Sequence, residues 1–163
     1  MSVKRIVISL SVIGILAGLA VSAWSQGPDE VALWSAKVGI LVPTATGTNA
    51  GVLLGVERQL NNWHGGRSAL ELDFAHPSAG GNGVDDWYLL YNQRYHVGGG
   101  AYLGWGAGLN ATDASGPGSD DTLNLAYRVF YGQRWDRIFG EIGWMSGMRD
   151  DNSGVSATLG LRF

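Results

Sequence analysis

The chain contains no cysteine. Disulfides are therefore excluded, and so is a lipid anchor on a processed N-terminal cysteine. Beyond residue 23 no apolar run is long enough to cross a membrane as a helix. Positive charge is scarce: 11 Lys and Arg stand against 14 Asp and Glu, for a net charge of −3. That balance argues against nucleic acid, whose binders concentrate cations. Histidine numbers three, and His64, His76 and His96 show no metal-ligand spacing. What the chain has instead is glycine, 26 of 163 residues, and seven tryptophans. Glycine at that density disfavours a helical domain. Strands of small residues and aromatics, joined by turn clusters, remain.

The one long apolar run is N-terminal. Lys4 and Arg5 precede apolar residues 6–23, and small residues follow. That order predicts a secretory signal peptide over residues 1–25, cleaved after Ala23 or Ser25. The alternative is an uncleaved anchor, but Ser9, Ser11, Gly14 and Gly18 break the run. The mature part, 26–163, is one domain by size. Without Lys4 and Arg5 its net charge falls from −3 to about −5.

Eight stretches read as strands, bounded by turn chemistry. They cover about 31–42, 50–60, 68–74, 86–96, 101–110, 122–131, 138–146 and the C-terminal 154–163. The fifth alternates most cleanly. Ala101, Leu103, Trp105, Ala107 and Leu109 share one face; Tyr102, Gly104, Gly106, Gly108 and Asn110 share the other. Segments 61–67, 97–100 and 133–137 read as compact turns, 75–85 and 111–121 as longer loops, 43–49 and 147–153 as intermediate. Short turns at one end and longer loops at the other are the outer-membrane pattern.

The two faces differ in kind. One is a near-continuous band of Leu, Val, Ala, Trp and Tyr, which in water would be an aggregation liability and in lipid is what the solvent requires. The other carries Lys37, Glu57, Glu71, Asp73, Arg94, Arg128, Glu141 and Arg162 among glycines. Four cations and four anions with little bulk between them suit a crowded lumen. An eight-stranded barrel is wide enough only to be filled by its own side chains, so these charges are expected to form ion pairs rather than a conducting path. A soluble, lipocalin-like barrel that binds a small apolar ligand would need the faces reversed.

Val155, Ala157, Leu159, Leu161 and Phe163 alternate with Ser156, Thr158, Gly160 and Arg162 up to the C-terminal aromatic. This segment resembles the closing strand of bacterial outer-membrane β-barrels, although Thr158 stands where that family has Gly. The mature chain is similar to the small OmpA/OmpX-like barrels over essentially its whole length. The resemblance implies an all-β, eight-stranded antiparallel up-and-down transmembrane barrel in the cell outer membrane. It also implies two partners, outer-membrane lipid and the barrel-assembly machinery, with Leu161 and Phe163 in the assembly signal.

Chemistry is sparsely signalled. Some small outer-membrane barrels are lipid A deacylases with a strand-borne His-x-Ser pair and an acidic partner. His76-Pro77-Ser78 has that spacing, but the pattern puts it in a loop, Pro77 disfavours strand geometry, and Ala79 replaces the Asn usual after the Ser. The acidic stretch 113–121 could hold Ca²⁺ but lacks EF-hand spacing, and reads as a solvated loop. Gly98-Gly99-Gly100 reads as a turn, since no helix follows it. No cofactor and no catalytic or metal residue is expected. The expected function is non-enzymatic, structural or surface-interacting, with acidic external loops; the alternative is an outer-membrane lipid-modifying enzyme.

Overall fold

The computed structural model describes residues 33–63, 66–79, 82–114, 122–147 and 153–163. The proposed signal peptide, 1–25, lies outside them. Eight strands follow in chain order: β1 (Trp34–Pro43), β2 (Thr48–Trp63), β3 (Gly66–Ala79), β4 (Asn82–Gly98), β5 (Ala101–Ala114), β6 (Thr122–Trp135), β7 (Ile138–Gly147) and β8 (Gly154–Arg162). Each pairs antiparallel with its chain neighbour, and β8 closes on β1 to complete a barrel. The closure runs in register from Ser35 opposite Arg162 to Pro43 opposite Gly154. Trp34 and Phe163 exchange backbone hydrogen bonds of 3.1 and 2.9 Å, so the first and last strands zip to their ends. Closure removes every sheet edge.

Period-two alternation becomes inside and outside. Val38, Ile40, Leu54, Leu103, Leu125, Val129, Ile142 and Leu159 are exposed on the outer wall, Leu125 at 62% and Leu159 at 61%. Lys37, Glu71, Asp73, Arg128 and Glu141 are buried within. Aromatics collect toward both rims: Trp34, Tyr95, Tyr131 and Trp135 at the terminal end, where β1 begins and β8 ends, and Phe74 packed on Trp87 (ring centroids 4.7 Å apart) toward the other.

Several connections are shorter than the alternation suggests. Segment 61–67 is largely strand. The loop expected over 75–85 is mostly strand too, because β3 runs to Ala79 and β4 starts at Asn82. β5 reaches Ala114 and β6 reaches Trp135, which leaves only Asp136 and Arg137 in the next turn. Apolar alternation marks only the part of a strand that contrasts two environments, whereas backbone pairing continues past it. His76, Pro77 and Ser78 accordingly lie in β3 and not in a loop. Proline fits there because the ladder is irregular: β2 shifts register between Asn49 and Val52, and Pro77 has no partner in β2 or β4. The 98–100 turn is a true glycine turn, with φ of 112°, 59° and 84° at its three residues, angles that side chains rarely adopt.

Candidate functional site: the barrel lumen

The lumen is layered. Toward the end away from the termini, Leu41, Leu53, Ala75, Tyr88, Leu90, Ala126 and Met145 form one buried apolar cluster. Below it, seven strands contribute to a polar network. Lys37 Nζ on β1 sits 2.7 Å from Glu71 Oε1 and 3.0 Å from Asp73 Oδ2 on β3. Arg128 on β6 spans two carboxylates: Nη1 donates to Glu71, and Nη2 to Glu141 Oε2 at 2.9 Å. Arg94 on β4 grips both oxygens of Glu57 and reaches Glu141 Oε1 at 3.1 Å. Tyr102 Oη donates to Glu141 Oε1 at 2.9 Å, and Asn92 Nδ2 to Glu71 Oε2 at 2.9 Å.

Glu71 and Glu141 are thus the shared nodes, each hydrogen-bonded by two cations and a neutral donor, with Arg94 also 3.8 Å from Glu71 Oε2. Burying so many charges costs heavily unless each is paired; Asp73, whose oxygens accept no hydrogen bond, is held by the charges of Lys37 and Arg128 at 3.0 and 3.9 Å. The glycines make the room. Phe130 lies between Arg94 and Arg128, with its ring centroid 5.4 and 4.1 Å from their guanidinium carbons. A side chain at Gly104 would collide with that ring, and one at Gly106 with Asn92 Oδ1 and the Arg128 stem. Glycines on β5 therefore face large side chains from the neighbouring strands.

Seven of the eight charged residues singled out in the sequence converge on this network. Arg162 does not. It lies at the terminal mouth, where its Nη2 donates to Gln59 Oε1 at 3.2 Å. The middle of the lumen thus holds three cations against four carboxylates, not four against four. The apolar layer is the part that sequence reasoning passed over. Its signal was available, since Leu41 and Leu53 share the parity of Lys37 and Glu57.

The remaining candidates are scattered. His96 opens onto the terminal mouth. His64 lies outside the described residues, as does 115–121, most of the acidic stretch; Asp113 itself is on β5, opposite Asp85. His76 is on the outer wall near the far rim, with Nδ1 2.6 Å from Asp85 Oδ1 on β4. Leu161 is exposed on the outer wall, and Phe163 is tied to Trp34 through its backbone. Among the described residues no three His, Asp or Glu side chains converge as a metal site.

A closed eight-stranded antiparallel barrel with charges inside and an apolar wall outside has the architecture of the small transmembrane β-barrels. Two solved structures share it. A de novo designed transmembrane β-barrel matches with a TM-score of 0.62 at 11% identity, over 83% of this chain and 98% of the design. The outer membrane protein Ail of Yersinia pestis, determined in a phospholipid bilayer nanodisc, matches with a TM-score of 0.54 at 12% identity, over 80% of this chain and 98% of Ail. At these identities the likeness is one of fold. No family model and no curated protein matches the chain.

Proposed function

We propose that the chain is an integral outer-membrane β-barrel that does no chemistry and conducts nothing. Its role is structural or surface-interacting, through the acidic connections at the end away from the termini. The observation that carries this reading is the inverted distribution of polarity: an exposed aliphatic band encircles a barrel whose charges are buried inside. Lipid is the solvent that makes such an exterior stable. The apolar cluster and the ion-pair network fill the lumen in series, which supports a barrel closed to ions. Residues 1–25 act as the export signal, and Leu161 and Phe163 address the assembly machinery.

The test is expression of the full chain with its leader. It should fractionate with outer membranes, shift on a gel when heated, give no steady single-channel current, and leave lipid A acylation unchanged by mass spectrometry. Recovery of the folded chain in the soluble periplasmic fraction, or a steady current, overturns the reading.

A second reading is favoured by one contact. The His76–Asp85 pair faces outward, where lipid would lie, and is set on paired strands. A lipid hydrolase would use His76 as general base, oriented by Asp85, with Ser78, two positions along β3, as nucleophile. Loss of an acyl chain from lipid A that His76→Ala abolishes would establish it.

A further inference from the structure

The terminal mouth of the lumen is unlike the middle. Arg67 on β3, Arg94 on β4, Arg134 on β6 and Arg162 on β8 line one cavity of about 50 Å³. It is large enough for a few water molecules or one compact anionic group. Glu57 is the single carboxylate among its lining residues, and Arg94 already engages both of its oxygens. Arg162 is bonded to the neutral Gln59 side chain. Among the described residues, neither Arg67 nor Arg134 has a carboxylate within 4 Å. The Nε of Arg94 is buried with no acceptor. Arginines from four strands have been gathered at one opening, and two of them, Arg67 and Arg134, carry no carboxylate partner among the described residues.

We infer that this mouth is a binding site for a phosphate group, entered from the side of the chain termini. Guanidinium forks match phosphate oxygens two at a time, and several of them around one small cavity favour a phosphate, mono- or diester-linked, over a monocarboxylate. Ser35, Ser68 and Tyr102 also line the cavity, with the Ser35 and Tyr102 hydroxyls donating to Glu57 and Glu141 and so keeping those carboxylates turned to the network. The Arg94–Glu57 pair forms the floor, and the network above blocks passage, so a ligand enters and leaves by the same opening. Leu33 and Trp34 supply an apolar wall at the rim. The phosphate could therefore be carried by a phospholipid headgroup or by a free soluble phosphate; the chemistry at the arginines is shared.

Calorimetric titration of the folded full-length mature barrel in zwitterionic detergent tests this. One arm uses inorganic pyrophosphate. The other uses short-chain phosphatidylglycerol below its micelle concentration. Saturable binding in either arm is expected, weakening steeply with salt as ion pairing requires. Binding in the pyrophosphate arm alone identifies a soluble phosphate, and in the lipid arm alone a headgroup. Arg67→Gln with Arg134→Gln should weaken binding about tenfold or more, as expected for losing charge-assisted hydrogen bonds. Heat-modifiability should be retained; Arg134→Gln alone serves if the double variant does not fold. Absence of binding in both arms, or equal affinity in the folded variants, overturns the proposal.

Discussion

Two regions of one lumen handle charge in opposite ways. In the middle, Lys37, Arg94 and Arg128 meet Glu57, Glu71, Asp73 and Glu141 with contacts mostly near 3 Å, sealed from water by the apolar cluster on one side. At the terminal mouth, Arg67 and Arg134 face a cavity whose one lining carboxylate is already taken by Arg94. The difference is one of dielectric. A buried charge must find a partner within the protein or it costs several kcal/mol. A charge at an open mouth keeps its water, so its presence there needs no internal compensation. Pairing in the middle is a condition of folding, whereas at the mouth Arg67 and Arg134 are left available to a ligand.

The sharpest way to break this contrast is Arg128→Met. It takes from both Glu71 and Glu141 one of the two cations that hydrogen-bond them, in a site where Arg128 is only 2% exposed, and should lower stability by about 3–5 kcal/mol, read as the urea midpoint of the folded barrel in micelles. A midpoint within error of the unmodified protein would mean the network is hydrated. Leu125→Arg, on the outer wall, should cost about 2–4 kcal/mol in a bilayer if the site is near the midplane. The same measurement in lipid vesicles checks it, and a neutral result would remove lipid from that wall. Gly106→Ala should cost about 1–3 kcal/mol by overpacking, since the new methyl meets Asn92 and the Arg128 stem. The smallest effect belongs to the mouth: Arg134→Gln should change the unfolding midpoint by no more than about 0.5 kcal/mol. A loss comparable to that of Arg128→Met would show that the mouth is as buried as the middle.

Much of this barrel is legible in the chain because each strand separates two unlike solvents. Leu103, Trp105 and Leu109 alternate with Gly104, Gly106 and Gly108, and that alone assigns the faces of β5. Strand ends are less legible. Past the apolar outer stretch both faces turn polar, the alternation fades, and β3 runs on through His76 and Pro77 without announcing itself. The His76–Asp85 contact is invisible for the same reason, since it depends on pairing across a segment that reads as loop. Parity puts Arg162 inside the barrel, but depth along the axis separates it from the network. Depth follows from the stagger of strands, which no single strand encodes.

The central claim is that the wall bearing Leu125 and Leu159 faces lipid while the charges face inward. The absence of cysteine makes it directly testable. Single substitutions Leu125→Cys and Leu159→Cys, in barrels folded into vesicles, should resist a water-soluble maleimide and react with a lipid-phase thiol label. Rapid aqueous labelling at both positions, with no labelling from the lipid phase, would place that wall in water and contradict the membrane barrel.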